Sequence, residues 1–181
     1  MKFRKLSVSG VWVVEIEPAP DERGFFARTV CAEEFKKHGL PGHYCQSSIS
    51  FNPRRGTLRG MHYQTLPSFE QKLVRCTRGA MFDVIVDLRP DSETFGRWDS
   101  VELSADNHRA VAVPAGCAHG FITLSDETEV LYMMSEPFSA GLARGVRWDD
   151  PAFGIAWPER PVVISERDAA YPDYNVTPQK G

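Results

Sequence analysis

The sequence predicts an all-β fold, an antiparallel sandwich or barrel with a few short helices. From Tyr44 onward, short β-prone runs follow one another at near-regular spacing: 45–51, 57–64, 72–77, 80–88, 97–104, 109–113, 117–124 and 128–135. Turn-forming residues separate them and little helix intervenes. The length of 181 residues suits a single domain over 1–181 with one core, and 42% hydrophobic with 25% charged residues is an ordinary globular content.

Taken in order, Val11–Glu17 alternates as a strand and is closed by Pro18 and Pro20. Asp21–Gly24 is a turn, after which Phe25–Val30 resumes as a strand. Ala32–His38 is a helix, with acids in its first turn, bases in its last, and Gly39 and Pro41 to stop it. In the 80–88 run, Phe82, Val84, Val86 and Leu88 share one face, and Asp83, Ile85 and Asp87 the other. Thr77–Ala80 reads as a hairpin turn, which sets Val74 opposite Asp83 and makes Lys72 and Asp83 diagonal neighbours. In Leu58–Gln64, His62 shares a face with Leu58, Gly60 and Gln64 while Arg59 points away. If both serve one site, Gly60 marks a bulge that re-aims the arginine. Residues 167–181 hold one helical turn and then a polar tail.

A net charge of −3 and a pI near 6.0 give no general affinity for nucleic acid or acidic membranes. No apolar stretch approaches the eighteen or so residues of a membrane span, and the N-terminus lacks the form of a signal peptide. Cys31, Cys45, Cys76 and Cys117 are scattered without a CxxC pair, which argues against a zinc site or a disulfide scaffold. Buried free thiols in a reducing cytoplasm are the expectation.

Chemistry concentrates in Arg55–Cys76, where His62 and Lys72 lie ten residues apart with Arg59 just upstream. Such a group can take a proton from carbon and steady the negative charge left behind. His62 suits the base and Lys72 the cation. The stretch Pro114–Phe121 resembles the second sequence motif of the cupin superfamily of jelly-roll barrels, in which a histidine, here His119, enters the barrel mouth. Metal-binding cupins carry an HxH pair in the first motif. Here that place reads His62-Tyr63-Gln64, so a metal site would rest on His62, Glu70 and His119 alone.

A wider set of motifs closely resembles the dTDP-4-dehydrorhamnose 3,5-epimerase family. These are Asp21-x-Arg23-Gly24-x-Phe26, Leu58-Arg-Gly-Met-His-Tyr-Gln64, Lys72-Leu-Val-Arg75, Phe82-Asp-Val84, Pro114-x-Gly-x-x-His119-Gly-Phe121, Trp148-Asp-Asp-Pro151, Gly154-Ile-x-Trp-Pro158 and Ser165-Glu-x-Asp168. The resemblance spans roughly residues 11 to 172. It implies a cupin-type antiparallel jelly-roll barrel without metal or other cofactor, commonly a homodimer, in deoxysugar biosynthesis. The implied substrate is a nucleotide-diphosphate 4-keto-6-deoxysugar. It assigns Asp168 to orient His62 and Tyr132 to be the acid across the sugar ring. It carries Arg23, Arg59 and His119 onto phosphate or sugar contacts, and Phe26 and Gln46 onto the nucleobase.

The chain departs from the family pattern at Arg28 (usually glutamate), Ser48 (asparagine), Phe138 (tyrosine), Ala143 (glutamate) and Arg167 (lysine). These departures imply that proton abstraction is kept while substrate recognition is altered, in the nucleotide or in the carbon inverted. A metal-dependent cupin enzyme and a non-catalytic sugar-nucleotide binding module are the competing readings. The joint presence of His62, Lys72, Tyr132 and Asp168 speaks against the second, since binding alone needs no acid–base pair.

Overall fold

The structure, a computed structural model, describes residues 1–175; the end of the expected polar tail, 176–181, lies outside the described residues. The chain runs β1 (Lys2–Lys5), β2 (Trp12–Glu15), β3 (Ala19–Asp21), β4 (Gly24–Phe26), α1 (Ala32–Lys37), β5 (Gln46–Asn52), β6 (Leu58–Gln64), β7 (Lys72–Arg78) and β8 (Ala80–Asp87). It continues through β9 (Trp98–Ser104), β10 (Ala110–Val113), β11 (Cys117–Thr123), β12 (Thr128–Met134), β13 (Ala143–Gly145) and α2 (Glu166–Ala169). Two antiparallel sheets face each other as a jelly-roll barrel, one ordered β1-β2-β10-β7-β12-β5 and the other β13-β6-β11-β8-β9, while β3 and β4 form a separate hairpin.

Three apolar layers explain the strand patterns. Val13, Val74, Val111 and Val130 of the first sheet meet Met81, Ile85, Leu103 and Phe121 of the second. The back of the second sheet, with Met61, Val84 and Val86, is covered by Val146, Phe153, Ile155 and Trp157. The back of the first, with Val14, Leu73, Ala110, Phe3 and Trp12, is covered by Phe35 of α1. Strands buried on both faces lose their apolar–polar alternation, hence the continuous buried runs of β10 and β11.

The Thr77–Ala80 turn is not a hairpin. β7 pairs with β10 and β12, β8 pairs with β9 and β11, and the turn is a corner where the chain passes from one sheet to the other. Its polar groups are satisfied by other loops: Ala105 N–H donates to the Gly79 carbonyl, and the Ser125 and Thr128 hydroxyls bond the Ala80 backbone. The expected register falls with it. Val74 stands beside Val111 and Tyr132, Asp83 beside Val101 and Phe121, and Lys72 beside Val113 and Met134.

The bulge at Gly60 is present: His62 pairs with His119 but Arg59 pairs with Phe121, so three steps on β6 oppose two on β11. Gly60 has φ of +137°, and a Cβ there would lie 2.5 Å from Gly120 Cα. The two glycines let the strands approach closely where Arg59 and His62 must both turn into the barrel.

Three strands were not expected. β3 forms at Ala19–Asp21, where the sequence reads as Pro20 and a turn. β1 holds only Phe3 among charged residues, and β13 is a three-residue edge whose Gly145 pairs with His62. The predicted strand 25–30 shortens to Gly24–Phe26. Among the described residues no helix is long and apolar enough to cross a membrane.

Candidate active site

The open end of the barrel holds two adjoining cavities of about 730 and 550 Å³. Both are lined by His62, Lys72, Tyr132 and Arg167, contributed by β6, β7, β12 and α2. Gln46, Ser48, Glu70 and Phe138 belong to the larger cavity, and Arg59, His119, Ser50 and Asp168 to the smaller.

Asp168 reaches His62 because Ser165 caps α2: its hydroxyl accepts the Asp168 N–H at 3.1 Å and fixes the helix start. Asp168 Oδ1 lies 2.7 Å from His62 Nε2, and Oδ2 accepts the Gly60 N–H at 3.2 Å. Burial alone would push the Asp168 carboxyl up, but its bonds from His62, Gly60 and Ser165 outweigh burial and hold it below the ordinary 3.8. An ionised Asp168 accepts from Nε2–H, which leaves the imidazole lone pair on Nδ1. The His62 side chain is 42% exposed while that of Asp168 is 7% exposed, so the imidazole is accessible and the carboxylate bonded to it is not.

A carboxyl depressed in the folded state stabilises the fold above its unfolded value, and that contribution is lost as pH falls through the folded value. We therefore expect native stability to decline on acidification below about pH 4, and Asp168→Asn to flatten that decline in denaturant titrations between neutral and acid pH. Equal acid slopes for the two proteins would contradict this.

Lys72 Nζ lies 3.3 Å from Glu70 Oε2, with both side chains largely withdrawn from water. Tyr132 is pushed up to about 12 by burial, against the hydroxyl of Ser50 3.4 Å away, so its phenol is protonated at neutral pH. His119 sits opposite His62 on the neighbouring strand, with Nε2 2.8 Å from Asp83 Oδ2. Burial pushes Asp83 up against the opposing pull of His119. Sequence reasoning did not place Asp83 here, because a wrong register put it beside Lys72.

Other expected residues come from β5, α2, β13 and the loop before β13. Gln46 Oε1 accepts the Phe138 N–H at 2.7 Å, which ties the 135–142 loop to β5. Arg167 lies over the Tyr171 ring at 5.9 Å, and that ring stands edge-on to His62. Ala143 and Arg144 line the larger cavity, and Arg144, like Asn52 and Ser50, was not singled out from sequence. Cys45 also lines it and is exposed; Cys76 and Cys117 are buried, so the expectation of buried thiols holds only in part.

Arg23, Phe26 and Arg28 are not brought to either cavity within this chain. They lie on or just after the β3–β4 hairpin, where Arg23 pairs with Asp21 at 2.5 Å and Phe26 is 79% exposed. His62, Glu70 and His119 do not converge either: each is engaged by its own partner. Among the described residues no three His, Cys, Asp or Glu side chains form a group able to hold a metal ion.

The sequence profile of the dTDP-4-dehydrorhamnose 3,5-epimerase family matches residues 5–175. The chain is 43% identical over 173 residues to the dTDP-4-dehydrorhamnose 3,5-epimerase of Sinorhizobium fredii, covering 95% of this chain and 89% of the relative. Its fold is similar to the crystal structure of dTDP-4-dehydrorhamnose 3,5-epimerase from Bacillus anthracis with TDP and PPi bound (TM-score 0.91, 38% identity, 96% of this chain and 99% of the other). It is also similar to a 3′-monoepimerase from Streptomyces bikiniensis in complex with dTDP-quinovose (TM-score 0.85, 35% identity, 93% and 85% covered).

Proposed function

The chain belongs to the dTDP-4-dehydrorhamnose 3,5-epimerase family and is an isomerase, and from that premise we propose how its own residues epimerise a nucleotide-diphosphate 4-keto-6-deoxyhexose, dTDP-linked. The observation that carries the reading is the convergence of an oriented histidine, an ammonium and a protonated phenol on the same two cavities. His62 takes the proton from the carbon beside the ketone, and the C–H electron pair moves to the ketone oxygen as an enolate. Lys72 meets the charge that develops there. Tyr132 returns a proton to the opposite face, and its phenolate is reprotonated from solvent. Asp168 stabilises the imidazolium formed in the first step, which gives its proton to solvent before the next turnover.

Arg59 and Arg167 supply positive charge and, with His119, hydrogen bonds to the diphosphate and sugar, and Gln46 and Ser48 lie toward the nucleobase. Phe138 has no hydroxyl to give, and with Ala143 it leaves the larger cavity less polar than the family pattern; epimerisation confined to one carbon is the consequence proposed. Residues 1–181 act as one cytoplasmic domain, and we read the assembly as a homodimer. Its support is the β5 edge, unpaired among the described residues, with exposed Ile49 and Phe51, and the separate β3–β4 hairpin with exposed Phe25 and Phe26. Arg23, Phe26 and Arg28 then contact ligand only from a second copy.

The test is conversion of dTDP-4-keto-6-deoxyglucose followed by proton NMR. Inversion at a single carbon, 3 or 5, is expected, and inversion at both would refute the confinement to one carbon while leaving the epimerase reading intact. Substrate recovered with both centres unchanged would refute the reading.

A further inference from the structure

We propose that Asn52 is a positioning residue that aims Arg59 at the substrate diphosphate without cancelling its charge. The proposal rests on the reading of Arg59 as a diphosphate ligand.

Asn52 ends β5 and is fully buried, at 0% exposure. A buried amide is costly unless both of its ends are bonded, and here they are. Nδ2 donates to the Thr128 carbonyl at 3.1 Å, and Oδ1 accepts Arg59 Nε at 2.7 Å. The Thr128 carbonyl can only accept, so the amide cannot be turned around, and its oxygen faces the guanidinium. Arg59 lies just before the β6 bulge and opens into the smaller cavity.

The kind of anchor matters. Arg55, Arg78, Arg89, Arg109 and Arg147 are each held by a carboxylate. Lys72, on the other side of the cavity, is held by Glu70. Arg59 is held through Nε by a neutral amide. That bond fixes the plane of the guanidinium and leaves its two terminal nitrogens, with a full positive charge, for an anion. A carboxylate at position 52 would fix the same geometry but oppose the anion.

The test is a double-mutant cycle on the full chain, with dTDP as the probe and binding read by calorimetry. Asn52→Ala should weaken dTDP about tenfold, the scale of one lost hydrogen bond. Arg59→Ala should weaken it about a hundredfold, the scale of lost hydrogen bonds to a charged group. The double variant should bind no more weakly than Arg59→Ala alone, because Asn52 acts through the arginine. Asn52→Asp should bind more weakly than Asn52→Ala. Asn52→Ser, which cannot reach Arg59 but keeps a polar group in the buried space, replaces Asn52→Ala if that variant does not fold. A residue that merely ties β5 to β12 would weaken binding by the same factor with or without Arg59, and multiplied effects overturn the proposal. Native protein that fails to bind dTDP overturns the reading of Arg59 together with it; native binding with multiplied effects overturns the role of Asn52 alone.

Discussion

His62→Ala lowers kcat for epimerisation by about three to four orders of magnitude, while affinity for dTDP stays within a few-fold of native. The size follows from the upper range of general base catalysis, since among the described residues no other group stands ready to take the proton. Tyr132 is held protonated, pushed up to about 12, and Asp83 is engaged by His119. Lys72 is paired with Glu70. Asp168, freed of its partner, stays beside the Gly60 N–H at the far side of the vacated ring. Steady-state kinetics beside calorimetry with dTDP separate the two quantities. A loss that fell on binding alone would make His62 a ligand contact rather than the base.

Gly60→Ala costs about 3–5 kcal/mol of folding stability, combining a side chain at unfavourable φ with overpacking against a neighbouring strand. The added Cβ would meet Gly120 Cα at 2.5 Å and the His119 carbonyl at 3.1 Å. Both are backbone atoms of a strand buried on each face, so neither can yield as a flexible side chain would. Gly120→Ala is expected to behave alike, since its Cβ would lie 2.8 Å from the Arg59 carbonyl. Gly141→Ala, with nothing within 4 Å, is the control and should stay within about 0.5 kcal/mol of native. Urea unfolding midpoints measure all three, and a Gly60→Ala protein within 1 kcal/mol of native would contradict the account.

Strands β5 to β12 were legible in sequence to within a residue or so, because turn residues interrupt each β-prone run. What could not be read locally was which strands pair. A two-residue turn at Arg78-Gly79 satisfies the hairpin rule and the sheet-to-sheet corner equally well, and the choice is made by the 124–128 loop packed over it. β13 escaped because Ala-Arg-Gly carries no β signature, and β1 because three of its four residues are basic.

In the site, His62 and Lys72 announced themselves as residue types suited to the chemistry, while Tyr132 and Asp168 needed the family motifs. The groups that hold them were not legible. Asn52 and Asp83 look like ordinary strand polar residues until the folded chain sets Arg59 and His119 against them. Glu70 was noticed only as a metal ligand, since nothing in the sequence says that its partner is the lysine two residues on. For Arg23 and Phe26 the motif names the residues, but their place depends on where the hairpin points.

Proton abstraction from carbon is the central claim, and exchange with solvent measures it most directly. Native protein is incubated with dTDP-4-keto-6-deoxyglucose in deuterated water, and the sugar is examined for label at carbons 3 and 5. Deuterium at one or both carbons, absent when His62→Ala replaces the native protein, is the predicted result. Native protein that leaves both carbons unlabelled would contradict it.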